Sequence, residues 1–229
     1  MVAPLAHEST GYEVVEREPP ELLGRNLISA GHLLASATAF FFLAFVFAYF
    51  YLRSLNSAGL WKPKGVDSSL AWGTVVMACT VASAGLVRLG LADHRAVRRS
   101  QWRLKGLLAL GFGVAALVLQ VIAWTQQGFG PVDGGYASVY FGWTAFMFLF
   151  VFCTMYWLET TVATSFRYRK VPVDVEEPAA GEASGDRGRS GHDIHNPLSL
   201  VRAELVALSF YWTFLAGIAV LTWVILYLI

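Results

Sequence analysis

His192 and His195 stand three residues apart, a spacing that suits a bound metal ion. They lie in VDVEEPAAGEASGDRGRSGHDIHNP, which is rich in Gly, Ala, Pro and charge and holds too little apolar surface to fold by itself. With no cysteine beside them, they read as polar residues of a flexible linker over about 172–198. Haem or copper ligation needs His, Met or Cys side chains inside a span and facing one another. His32 and His94 fall only at the ends of apolar runs, and Met77, Met147 and Met155 are scattered as packing residues are. Cys79 and Cys153 each sit in an apolar run and read as small buried hydrophobes. Gln120 is the clearest polar group deep in such a run. An interhelical hydrogen bond is its plain reading, and contact with a lipid headgroup or partner is the functional one. Glu159 falls near an interface, and Arg202 and Glu204 precede the last apolar run. No Asp, Glu, Lys, Arg or His falls near the middle of any run, which argues against proton or ion conduction by this chain alone. The expectation is therefore no catalytic, cofactor-binding or metal-binding residue in this chain.

The elements that must position these residues are membrane spans. From Leu33 to Leu52 the chain runs 20 residues without a charge, then meets Arg53. A hydrocarbon core of roughly 30 Å takes about 20 helical residues at 1.5 Å each, and in lipid the backbone can satisfy its polar groups only as a helix. The eight aromatics between Phe40 and Tyr51 fall on every face, and no polar side is left for water. Ser36 and Thr38 can return their hydrogen bonds to the preceding turn. The chain is 56% hydrophobic and only 14% charged, with a mean hydropathy of +0.53. A soluble domain carries about 25% charge, so the class is an all-α polytopic membrane protein. Five spans are expected, at about 28–52, 69–91, 106–124, 139–162 and 205–228. Residues 1–27 form a polar extension without the basic-then-apolar pattern of a signal peptide.

Lys and Arg positions set the orientation. Of the 17 basic residues, 14 lie in the N-terminal extension, the second connection and the fourth, and three in the first; the third has none. That asymmetry puts the N-terminus in the cytoplasm and, with an odd number of spans, the C-terminus outside. The net charge of +1 argues against a nucleic-acid partner. Small residues at helical spacing, Thr74, Ala78, Ala82 and Gly85 in the second span and Gly106, Ala109, Gly113 and Ala116 in the third, mark expected seams where helices approach closely.

Several stretches resemble subunit III of the heme-copper oxidases, the cytochrome c oxidase polypeptide III family, in its short five-helix form. LLASATAFFFLAFVFAYFYLR is similar to that family's L-x-S-E-x-M-F-F…A-x-Y-F segment. GLWKPKG resembles its W-P-P-x-G turn, with Trp61, Pro63 and Gly65 matching. LQVIAW is similar to Q-x-x-E-W/Y through Gln120 and Trp124. SVYFGWTAFMFLFV resembles S-x-F-F-x-x-T-G-F-H-G-L-H-V through Ser138, Thr144, Phe146 and Val151. Glu204 followed by YWTF is similar to H-x-x-x-E…Y-W-H-F, with Tyr211 and Trp212 matching. The five matches stand in the family's order and cover nearly the whole chain from the first span on.

The departures share a direction. Where the family has a membrane Glu in the first span this chain has Ala37 or Thr38, and the span-three Glu position holds Ala123. The two span-four histidines correspond to Met147 and Phe150, the histidine of Y-W-H-F to Thr213, and the Asp after it to Ala216. The resemblance implies a non-catalytic subunit of an aerobic terminal oxidase in a bacterial plasma membrane. Haem and copper would lie in the catalytic subunit I, subunit II would be a further partner, and phospholipid would be held. Thr38, Gln120, Tyr211, Trp212 and Glu204, with the basic residues Arg95, Arg98, Arg99 and Arg202, are the expected lipid or subunit contacts. The first rival is a similar accessory protein of a quinol oxidase or nitric oxide reductase; the second is a small-solute transporter or membrane scaffold. A transporter would show paired broken helices or a polar midplane site, and neither is seen. The orientation predicts that a C-terminal tag is cut by protease added outside intact cells; cleavage only from the cytoplasmic side would reverse the topology.

Overall fold

The computed structural model describes residues 20–56, 59–96, 98–167 and 197–229, with only the backbone course of Pro20, Glu21, Arg99 and residues 197–200. Residues 1–19 and most of the linker, including His192 and His195, lie outside the described residues. Among the described residues there are five long helices and no strand: α1 (Pro20–Ser54), α2 (Leu70–Arg95), α3 (Arg99–Thr125), α4 (Gly135–Arg167) and α5 (Pro197–Trp223), the last continued by a wider π-helical turn over Val224–Leu228. All five are long and apolar enough to cross a membrane. This is the architecture expected of a multi-pass membrane protein. The helices outrun the apolar runs by up to about two turns, because helical hydrogen bonding continues into the interface where polar side chains are hydrated. Charged residues set the limits of a span and caps set those of a helix.

Helix α5 is the hub. It packs against α1, α2 and α4, while α2 packs on α3 and α3 on α4. Its apolar window is 56% buried, against 22% for α1 at the edge. Helices α1 and α5 run parallel and closest where side chains are small: a Cβ on Gly31 would lie 3.3 Å from that of Ala207. The Phe-rich stretch of α1 is split between two faces. Phe41, Phe42 and Phe45 meet Trp143, Phe146 and Phe150 of α4 at centroid distances of 4.8–6.4 Å. Phe40 and Phe47 point outward, 75% and 69% exposed.

The expected seam on α3 is present. Ala109 and Ala116 are buried, a Cβ on Gly106 would fall 2.9 Å from Val162 of α4, and one on Gly113 would collide with Met155. The seam expected on α2 is not. Ala78 and Gly85 are exposed, and the buried face runs through Thr80, Ser83, Ala84, Val87 and Gly90 instead. Two small-residue stripes compete on that helix, and the one beside the bulky Val87 and Leu91 is buried because it supplies contact area as well as close approach. Cys153 also departs from expectation: it is exposed on α4, while Cys79 is half-buried, and both are free thiols.

The first connection closes one end of the bundle. Trp61 is buried edge-on against Tyr49 and Tyr136, at 5.1 and 6.0 Å. Its N–H donates to Asn56 Oδ1 at 3.1 Å, and its carbonyl accepts from the Tyr136 N–H at 2.8 Å. The Gly135 N–H donates to the Leu60 carbonyl, so the connection is laced onto the start of α4. Gly134 sits at φ +135°, and a Cβ there would lie 2.7 Å from Pro63 and 3.0 Å from the Leu60 carbonyl oxygen. Gly134→Ala should therefore cost about 1–3 kcal/mol, read as a lowered thermal midpoint. An unchanged midpoint would mean that the clasp is not tight.

Candidate functional site

Three groups of polar side chains stand out. The first is on α5, at the adjacent residues Tyr211 and Trp212, 3% and 0% exposed. Successive helical residues point about 100° apart, so the pair addresses two different neighbours. The Thr38 hydroxyl donates its one proton to the Leu34 carbonyl at 2.8 Å. The 3.2 Å contact between Tyr211 and Thr38 must then have the tyrosine as donor. On the other side, Trp212 Nε1 donates to Ser83 Oγ at 3.1 Å, and Ser83 donates to the Ala109 carbonyl of α3 at 2.6 Å. Each chain starts at a ring donor on α5, passes through one hydroxyl and ends on a helix carbonyl. Neither contains a group that ionises near neutral pH, and between them they tie α5 to α1, α2 and α3.

Thr38, Tyr211 and Trp212 were expected at a lipid or subunit contact. That expectation is corrected: all three are enclosed by this chain, with Thr38 1% exposed, and their polar atoms face its own helices. An aromatic motif in a membrane span signals packing whether the neighbour belongs to the same chain or to another, and the sequence does not distinguish the two.

The second group surrounds Gln120. A cavity of about 50 Å³ between α2, α3, α4 and α5 is walled by Gly73, Thr80, Gln120, Thr144, Thr222 and Tyr227, among others. The Gln120 Nε2 is buried and finds no hydrogen-bond partner among the described residues. Around it runs a better-paired network: Gln127 Nε2 donates to Tyr140 Oη at 3.0 Å, Tyr140 and Tyr227 share a 3.2 Å contact, and Trp124 Nε1 donates to Thr144 at 2.9 Å. Gln120, Trp124 and Thr144, which come from two of the quoted motifs, are thus brought to one place. The sequence carries no mark of the tyrosines that join them.

The third group is at the opposite, basic end, on the α2–α3 hairpin. Asp93 is only 2% exposed and is held by Arg98 at 2.7 Å and by Lys105. The Arg98 N–H also closes the turn onto the Asp93 carbonyl at 2.9 Å. Arg98, one of the expected lipid contacts, is paired with this carboxylate while its side chain stays 56% exposed. Arg95 and Arg202 are exposed, Glu204 is half-buried, and the side chain of Arg99 lies outside the described residues. Asp93 was missed because it lies just past the apolar run, where a charge reads as interfacial. The signal was the pair of basic residues five and 12 positions later, across one tight turn.

The described residues bring no three His, Cys, Asp or Glu side chains together as a metal would need. What these groups do chemically is position helices. Removing the shared anion leaves two cations facing each other, so Asp93→Ala should lower the thermal midpoint clearly more than Arg98→Gln does. Equal effects of the two would show that the cluster is not shared.

No protein-family model and no curated protein matches this chain, so its function rests on its own residues and their arrangement.

Proposed function

We propose that this chain is a non-catalytic subunit, of the subunit III kind, of a heme-copper terminal oxidase that carries electrons from cytochrome c to oxygen in a bacterial plasma membrane. Its work in that complex is to stabilise the catalytic subunit and to hold lipid against it. The observation that carries the reading is the ordered run of motif residues, from Trp61, Pro63 and Gly65 through Gln120, Trp124 and Thr144 to Tyr211 and Trp212. Their placement is consistent with a scaffold role. Trp61 seats the connection that closes the bundle, Gln120, Trp124 and Thr144 line one polar cluster, and Tyr211 and Trp212 tie the hub helix to its neighbours.

The site where the family carries a buried carboxylate supports the non-catalytic part. That position is Ala37 or Thr38, and Thr38, at or beside it, has its proton committed to the preceding turn and its lone pair to Tyr211. A carboxylate at that depth would need a proton, a counter-charge or water, and the hydroxyl needs none of these. The outward aromatic face of α1, with Phe40, Leu43 and Phe47, offers the apolar area that a partner subunit or lipid would cover. The N-terminus is proposed as cytoplasmic on the basic-residue asymmetry.

Purification in mild detergent tests the assignment. The chain should migrate with a haem-containing partner visible in the absorption spectrum, and migration without any haem would overturn the reading. Within such a complex, Thr38→Val, Gln120→Leu and Thr213→Val should leave turnover nearly unchanged, while deletion of the whole chain shortens the active lifetime. A large drop in proton pumping from Thr38→Val alone would refute the scaffold account.

A further inference from the structure

The α2–α5 face carries an open furrow that none of the described side chains fills. Its inner part, about 270 Å³, lies between Val81, Gly85 and Arg88 on α2 and Thr213, Gly217 and Val220 on α5. Its outer part, about 330 Å³, shares Arg88 and continues past Leu91 and Arg95 to Val206, Ser209 and Phe210. Gly85 and Gly217 border the inner part, and a Cβ on either would meet nothing within 4 Å. From Val206 to Val220 the furrow spans 14 residues of α5. At 1.5 Å per residue that is roughly 21 Å, of which the inner part, Thr213 to Val220, takes roughly 10 Å, within half of a roughly 30 Å hydrocarbon core. The inner part therefore lies within one leaflet, and the outer part leads from it to the basic end.

Charge sits at one end only. Arg88 and Arg95 are seven residues apart, two turns along the same face of α2. Neither has an ion-pair partner among the described residues, since Asp93, the acid on the same helix, is taken by Arg98 and Lys105. Arg88 stands seven residues, or roughly 10 Å, inside the end of α2. The expected apolar run ends at about 91, so the Arg88 stem can lie along the furrow while its guanidinium reaches the interface, where its planar fork matches a phosphate. Phe210, which walls the outer part, is braced from behind by the His32 ring at 4.2 Å.

We propose that this furrow is a binding site for one anionic phospholipid, with its phosphate between Arg88 and Arg95 and one acyl chain along Gly85 and Gly217. A partner's helix fits less well, because the cations are confined to one end and the furrow stops short of crossing the roughly 30 Å core. The proposal deepens the lipid-holding part of the reading above but needs only the five-span architecture. Its failure would leave the oxidase assignment standing, and the loss of that assignment would leave the furrow in place.

The test is native mass spectrometry on the full chain, with whatever partners it retains, after addition of phosphatidylglycerol or of phosphatidylcholine with the same acyl chains. Wild type should retain one phosphatidylglycerol in preference to phosphatidylcholine, by about fivefold for each arginine engaged. Arg88→Gln with Arg95→Gln should abolish that preference. Gly217→Leu, which fills the furrow, should weaken retention of both lipids, and Gly85→Leu tests the same point from the facing helix should that variant misfold. Arg98→Gln removes an equal charge beside Asp93 and should leave the preference intact. Excess inorganic phosphate should not displace the lipid. The proposal is overturned if the preference survives the double arginine variant, or if retention survives a folded furrow-filling variant. Displacement by phosphate alone would also overturn it. So would loss of a partner subunit from the furrow variants with lipid retention unchanged, an outcome that assigns the furrow to a protein helix.

Discussion

Two adjacent rings on α5 hold most of the architecture. Tyr211 turns toward α1 and Trp212 toward α2, each with its apolar body packed and its one polar hydrogen delivered to a hydroxyl. In lipid the hydrophobic effect gives helices no reason to associate, so shape and hydrogen bonding must do it. A buried ring donor is useful there because it brings large contact area and a donor that cannot be left unmet. The acceptors are chosen to suit. Thr38 and Ser83 each donate in turn to a backbone carbonyl, which has a spare lone pair even inside a helix.

The two ends of the bundle are secured differently. At one end an aromatic clasp, Trp61 between Tyr49 and Tyr136, folds the first connection under the helices and is fixed by backbone hydrogen bonds to α4. At the other end a buried carboxylate between two cations holds a turn of very few residues. Rings suit the connection that must cover the bundle, because they bring area. An ion cluster suits the tight hairpin, because it acts over a short reach and at an interface where the outer cation stays hydrated. Between these ends the packing depends on small residues, and it fails to close along α2 and α5, where Gly85 and Gly217 leave the furrow.

Much of this was legible in the sequence, and the unreadable part has a common cause. Apolar length alone located the five helices, since lipid permits few alternatives to a helix. The α3 seam was readable because Gly106 and Gly113 face bulky partners, Val162 and Met155, that demand small residues. The α2 seam was misplaced because that helix carries small residues on more than one face, and periodicity cannot say which face meets a neighbour. The same ambiguity moved Tyr211, Trp212 and Thr38 from an expected contact surface to the interior. Asp93 and Arg88 were obscured for a different reason. Near a span's end a charge is cheap enough to be ordinary, and only its partner, or the lack of one, gives it a role.

The α2–α3 hairpin has a consequence for how the chain is made. Asp93 meets Arg98 within the turn itself but reaches Lys105 only when the two helices lie side by side, so the cluster favours their entering the membrane as a pair. A turn that carries this much charge is hard to drag through hydrocarbon. Whichever side of the membrane it occupies, it acts as the fixed end while the opposite ends of both helices cross. The clasp around Trp61 needs α4 for its other half, so the first connection must wait for a later segment. The order of assembly is thereby written into which end of the bundle is held by neighbours in sequence and which by distant ones.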